Sequence, residues 1–131
     1  MTKLLLVEDH PIFAEVLVQA LELRDDLKVI MRVDTAERAL EVISNLSPDL
    51  ILVDISLPKM NGIDLVGRLH KMRPDIPCLM ISGHISIPYL KRCLAAGARG
   101  YAIKDSAKGI IDGIDQVMRG EIYISTELRV P

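Results

Sequence analysis

The sequence predicts an α/β fold in which one parallel sheet is covered by helices on both faces. Three observations carry this expectation. Short runs rich in Val, Ile and Leu recur along the chain without polar alternation, the pattern of strands buried on both sides. Segments of helical period separate them. Proline, glycine and small polar residues fall at the joints, where helices must start and stop.

Taken in order, the first run, KLLLV from Lys3 to Val7, ends against Glu8 and Asp9. Pro11 suits the start of a helix, with Phe13, Val16, Leu17, Ala20 and Leu21 as its apolar stripe. The second strand is expected at Lys28 to Met31. Thr35 is placed as the N-cap of a helix whose stripe is Ala36, Ala39, Leu40, Ile43 and Leu46. The third strand, Leu50 to Val53, finishes on Asp54, and Leu65, Val66, Leu69 and Met72 mark the third helix. Cys78 to Ile81 forms the fourth strand and leads into Ser82 and Gly83. A shorter fourth helix runs from Ile87 to Ala96, with Pro88 tolerable only in its first turn and Gly97 as a left-handed terminus. Tyr101 to Ile103 is the fifth strand, followed by Lys104. Ile110, Ile114, Val117 and Met118 make the last stripe, before Gly120. Pro48, Pro74 and Pro77 lie in connections. Strict alternation implies right-handed crossovers, and the expected arrangement is a flavodoxin-like (βα)5 sheet in the order 2-1-3-4-5.

At 131 residues the chain suits one domain with a real core. Half of it is hydrophobic and only 3% aromatic, without Trp, so that core is aliphatic. A net charge of −2 exerts no general pull on nucleic acid or an anionic membrane. Cys78 and Cys93 match no CxxC or disulfide pattern, no apolar run reaches membrane-span length, and MTKLLLVED meets acidic residues too early for a signal peptide. A soluble, cytoplasmic protein is expected, with 1–122 as the folded domain and 123–131 as the opening of a linker.

The stretch DLILVDISLPKMNG, Asp49 to Gly62, raises the chemical question: a buried-looking run ends on a carboxylate. In an open α/β sheet the ligand crevice lies beyond the carboxyl ends of the strands. Glu8, Asp9, Asp54, Ser82 and Lys104 all occupy such ends. Any one of them alone reads as a turn former or cap. Together, three carboxylates call for a cation, and Mg²⁺ is the hard ion that takes oxygens and retains waters. Asp54 would then attack phosphorus as a carboxylate nucleophile, with Lys104 and Ser82 neutralising the equatorial oxygens.

VEDHP, LILVDISLPKMNG, MISG and GARGYAIKD resemble the motifs of the receiver domain of two-component response regulators, in order and spacing, from Lys3 to about Ser125. EDHP and the ending GARGYAIKD…GEIYIS are most similar to the NarL/FixJ subfamily, whose members usually carry a C-terminal LuxR-type helix-turn-helix. The resemblance implies Asp54 as phosphoacceptor. It implies Asp9, Asp54 and the backbone carbonyl of Ser56 on Mg²⁺, with Glu8 acting through water. Ser82 and Tyr101 stand at the switch positions, and Lys104 at the lysine position. A sensor histidine kinase or phosphotransfer protein would be the donor. Signalling would leave through the face of the fourth helix, fifth strand and fifth helix, with a homodimer as one output. DNA would be bound only through an output domain outside this chain, in the control of transcription.

Several residues depart from that pattern. Asp105 follows Lys104 where many receivers have a cis-linked proline. HISIPYL, His84 to Leu90, is apolar for a helix start, and Ile85, Ile87 and Tyr89 read either as a contact patch or as packing. His10 reads as solvated ahead of Pro11, His70 as polar-face, and His84 and Ser56 as candidates to influence water access. Two rival functions remain at this level. One is a metal-dependent phosphatase of haloacid-dehalogenase type, which places its nucleophile after the first strand in a DxD pattern. The other is an interaction domain of the same fold without phosphorylation.

Overall fold

A computed structural model describes residues 1–129. Six strands, β1 (Thr2–Val7), β2 (Leu27–Val33), β3 (Leu50–Asp54), β4 (Cys78–Ser82), β5 (Gly100–Ile103) and β6 (Tyr123–Ile124), form one parallel sheet in the order β2-β1-β3-β4-β5-β6. Five helices alternate with them: α1 (Pro11–Leu21), α2 (Ala36–Val42), α3 (Gly62–Met72), α4 (Ile87–Ala96) and α5 (Ala107–Met118).

Because side chains alternate across a strand, each central strand feeds two cores. Leu5, Val7, Ile51, Val53 and Met80 face one way and pack with the buried sides of α2, α3 and α4. Leu4, Leu6, Leu52, Leu79 and Ile81 face the other and pack with α1 and α5. Every residue of β3 is buried, each aliphatic side chain contributing about 1.5–3 kcal/mol. β3 is therefore a rigid mount for whatever stands at its end. Cys78 and Cys93 are buried and unpaired, and burial pushes both thiols up to about 12.

The caps follow the sequence. Pro11 and Pro88 occupy first turns, Thr35 accepts a hydrogen bond from Arg38 N, and Gly97 ends α4 at φ 113°. His70 lies against Gly97 so closely that a Cβ there would stand 2.6 Å from its ring.

Several expectations need correction. Val16, Met72 and Met118 are exposed rather than part of their stripes, because the buried faces run through Ala14, Leu17 and Leu21 on α1 and through Gly113 on α5. Helix α2 stops at Val42, and Ile43–Asn45 tightens into a 3₁₀ turn. The edge strand β2 is longer than expected and carries a bulge opposite Leu4 and Leu5. The boundary at residue 122 falls inside the folded unit: Tyr123–Ile124 pairs in parallel with β5, and Ser125 and Leu128 are buried. Of the expected linker 123–131, residues 130–131 lie outside those described. Every described peptide bond is trans, that between Lys104 and Asp105 included.

Candidate functional site

The register of the sheet assembles the site. Val7 pairs with Val53, Asp54 with Ile81, and Ser82 with Ile103, so Glu8, Asp54, Ser82 and Lys104 stand at adjacent strand ends. A cleft of about 440 Å³ opens there, lined by Glu8, Asp9, His10, Phe13, Asp54, Ser56 and Lys104.

Asp54 is 2% exposed, fixed by the buried strand behind it. Its Oδ1 accepts a hydrogen bond from Ser56 N at 3.1 Å and lies 3.3 Å from Lys104 Nζ. Both contacts fall on one oxygen, leaving Oδ2 without a hydrogen bond from the described residues. The start of α3 presses against the same strand end: Gly62 N donates to Ile55 O, and a Cβ on Gly62 would stand 2.2 Å from Asp54 O. Only a glycine permits that approach.

Glu8 is fully buried while its neighbour Asp9 is exposed. Glu8 Oε2 accepts from His10 N at 3.0 Å, and Oε1 lies 2.7 Å from Lys104 Nζ without a hydrogen bond of ordinary geometry. Burial pushes the Glu8 carboxyl up to about 7; Lys104 and the His10 N–H pull it down, and the Asp54 charge raises it further. The turn is held from outside by Arg32 of β2, whose Nε and a terminal nitrogen donate to Glu8 O at 3.1 and 2.8 Å.

Oxygens of Glu8, Asp9 and Asp54 lie within 4.8 Å of one another. Such an all-oxygen set, with one member open to water, fits a hard divalent ion such as Mg²⁺. Ser56 lines the cleft, its amide engaged with Asp54.

Ser82 and Tyr101 are joined through one residue. Ser82 Oγ accepts from His84 N at 2.9 Å, and the Tyr101 hydroxyl donates to His84 O at 2.8 Å. Tyr101 is wholly buried and turned inward, its hydroxyl held by the His84 carbonyl rather than by solvent. Burial raises its phenol above the ordinary range, partly offset by the Ser82 hydroxyl.

Other residues resolve differently. His10 is the N-cap of α1, its Nδ1 accepting from Phe13 N, and it also borders the cleft. The His84 ring is exposed and packs edge-on against Tyr89 at 5.3 Å. Ile85 and Ile87 are exposed, whereas Tyr89 packs partly into the core. Phe13 packs partly buried against the core, as its place in the stripe of α1 predicts; for this residue, sequence reasoning missed only that its ring also lies 4.7 Å from Lys104 Nζ. It also missed Arg32 and the His84 backbone, which no local pattern announces. For Gly62, no local pattern signals the close approach to Asp54 O.

Residues 4–114 match the family model described as the response regulator receiver domain. Among curated relatives, the transcriptional regulatory protein DegU of Brevibacillus brevis is 31% identical over 123 residues, 93% of this chain and 52% of that protein. The response regulator GacA of Pseudomonas aeruginosa is 30% identical over 129 residues, 98% of this chain and 60% of that protein. The chain thus spans about half to three-fifths of these relatives' length. Among solved structures, a LuxR-family two-component response regulator from Aurantimonas superposes with a TM-score of 0.93 at 25% identity, over 98% of this chain and 93% of that one. The signal receiver domain of a NarL response regulator from Mycobacterium tuberculosis gives 0.85 at 29% identity, over 92% and 98%.

Proposed function

The chain belongs to the response regulator receiver domain family, and we propose that it accepts a phosphoryl group on Asp54 from a histidine phosphodonor. The observation that carries this reading is the asymmetry of Asp54: Oδ1 is tied to Ser56 N and Lys104, while Oδ2 is left for attack. A phosphatase of haloacid-dehalogenase type is not favoured, because its nucleophile follows the first strand and Asp54 follows the third.

In the proposed reaction Oδ2 bonds to phosphorus as the phosphorus–nitrogen bond to the donor imidazole breaks, the electron pair staying on that nitrogen. Phosphoryl transfer needs mainly positioning and charge neutralisation. Glu8, Asp9, Asp54 and the Ser56 carbonyl would hold Mg²⁺, which when bound supplies positive charge beside the transferring oxygens. Lys104 lies nearer Glu8 than Asp54, at 2.7 against 3.3 Å, so its ammonium is already at the site and needs only a small shift to meet a phosphoryl oxygen. Ser82 would donate to another oxygen, releasing His84 N–H as it turns. The same constellation supports self-catalysed phosphorylation and hydrolysis.

The new group adds roughly −1.5 to −2 charge. Since His84 holds both Ser82 and Tyr101, rearrangement at Ser82 loosens the β4–α4 loop that anchors the Tyr101 hydroxyl. The signalling face is then α4, β5 and α5, with exposed Ile85 and Ile87 at its margin. The full protein would act in the cytoplasm, with a sensor kinase upstream and DNA bound through a separate output domain, as a dimer.

Beryllofluoride mimics a phosphoryl group on a carboxylate and tests the site without a kinase. With Mg²⁺, NMR should show a saturable complex in the wild type and none in Asp54→Asn. Equal spectral change in both proteins would reject the assignment.

A further inference from the structure

Lys104 is the single cationic side chain among the residues lining the cleft, and its ammonium has three neighbours. Two are carboxylates, Glu8 at 2.7 Å and Asp54 at 3.3 Å. The third is the ring of Phe13, whose centroid lies 4.7 Å from Nζ. Phe13 is the only phenylalanine in a chain with little aromatic content. It reaches the site from the first turn of α1.

Packing alone does not require an aromatic here. Phe13 is half-buried, at the edge of a cluster built mainly of aliphatic side chains. What leucine lacks is the negative face of the ring, which attracts an ammonium. A lysine has a long, rotatable stem and loses much freedom when fixed. The carboxylates attract the ammonium without fixing the path of its stem, and they become less available once they hold a metal ion. The ring remains.

We propose that Phe13 is a positioning residue that holds the Lys104 ammonium where the transferring phosphoryl oxygens arrive, a role that rests on the reading of Asp54 as phosphoacceptor. Phe13 acts through Lys104 and needs no contact with the phosphoryl group. It is therefore expected to affect the rate of transfer more than the binding of Mg²⁺.

The test uses Phe13→Leu and Phe13→Tyr in the intact chain. NMR without metal or donor reads the ring current on the Lys104 ε-methylene protons: shifted upfield in the wild type and in Phe13→Tyr, and returned to ordinary values in Phe13→Leu. Phosphorylation by a small-molecule phosphodonor with Mg²⁺ should slow about 3- to 10-fold in Phe13→Leu and recover to within about twofold in Phe13→Tyr. Circular dichroism and thermal melting check that both variants fold. A Phe13→Leu protein that phosphorylates at the wild-type rate, or a Phe13→Tyr protein no better than Phe13→Leu, overturns the proposal. A wild type that gains no phosphoryl group overturns the Asp54 reading itself, and the two failures are thereby distinguished.

Discussion

Glu8 is a buried acid at the edge of an acidic cluster, and its ionisation links the site to the stability of the fold. Its carboxyl is pushed up to about 7 by burial, against an ordinary value of 4.5. The folded protein therefore binds this proton more tightly than the unfolded chain. Its contribution is complete below about 4.5 and is lost as pH rises through about 7. In the metal-free protein, urea unfolding should show a loss of order 1–3 kcal/mol between those values. Glu8→Gln should flatten that slope. Mg²⁺ added at pH 7.5 should restore stability to the wild type, since a cation favours the ionised form. A metal-free protein equally stable across the window would show that Lys104 fully compensates the buried charge. Gly62 makes a second prediction at this scale. A Cβ 2.2 Å from Asp54 O forces the start of α3 away from β3. Gly62→Ala is expected to cost about 2–4 kcal/mol in denaturant unfolding, whereas Gly67→Ala, with nothing within 4 Å of its Cβ, should not destabilise.

Among the elements, β6 is the one whose placement has the most consequence. Tyr123 fills a slot between Gly100 and Gly113, where Cβ atoms would stand 3.1 and 3.0 Å from it. Arg129 covers its ring at 5.7 Å and donates to Ile124 O. Ser125 N donates to the backbone carbonyl of Tyr101, so the strand reads directly from the residue proposed as the switch. Tyr123→Ala should lose about 2–4 kcal/mol of stability and abolish hydrogen-exchange protection at the Ser125 amide. Retained protection there would mean that β6 is held by backbone pairing alone. This element was not legible in the sequence. Two residues carry too little pattern to announce a strand, and the glycines that admit Tyr123 lie far from it along the chain. The long, uniformly apolar runs of β1, β3 and β4 were legible because double-sided burial leaves no polar position in them. The stripe on α1 was misread at Val16, since Phe13, Val16 and Leu17 form an apolar row whichever neighbouring face is buried.

Across the whole molecule, topology made the site readable. Once the alternation fixes a parallel sheet, the residue after each strand is confined to one edge, so topology alone gathers Glu8, Asp9, Asp54, Ser82 and Lys104. What topology could not supply was contact: the lysine leaning on Phe13, the arginine clamping Glu8 O, and His84 joining Ser82 to Tyr101. These depend on side-chain reach and loop path, neither of which has a periodic signature. The central claim is that this arrangement makes Asp54 a phosphoacceptor, and intact mass spectrometry tests it most directly. The protein would be incubated with a small-molecule phosphodonor, with and without Mg²⁺, as wild type and as Asp54→Asn. The account predicts a gain of one phosphoryl group in the wild type that requires Mg²⁺ and is lost in the variant. Unchanged mass in the wild type under every condition, or an equal gain in Asp54→Asn, would contradict it.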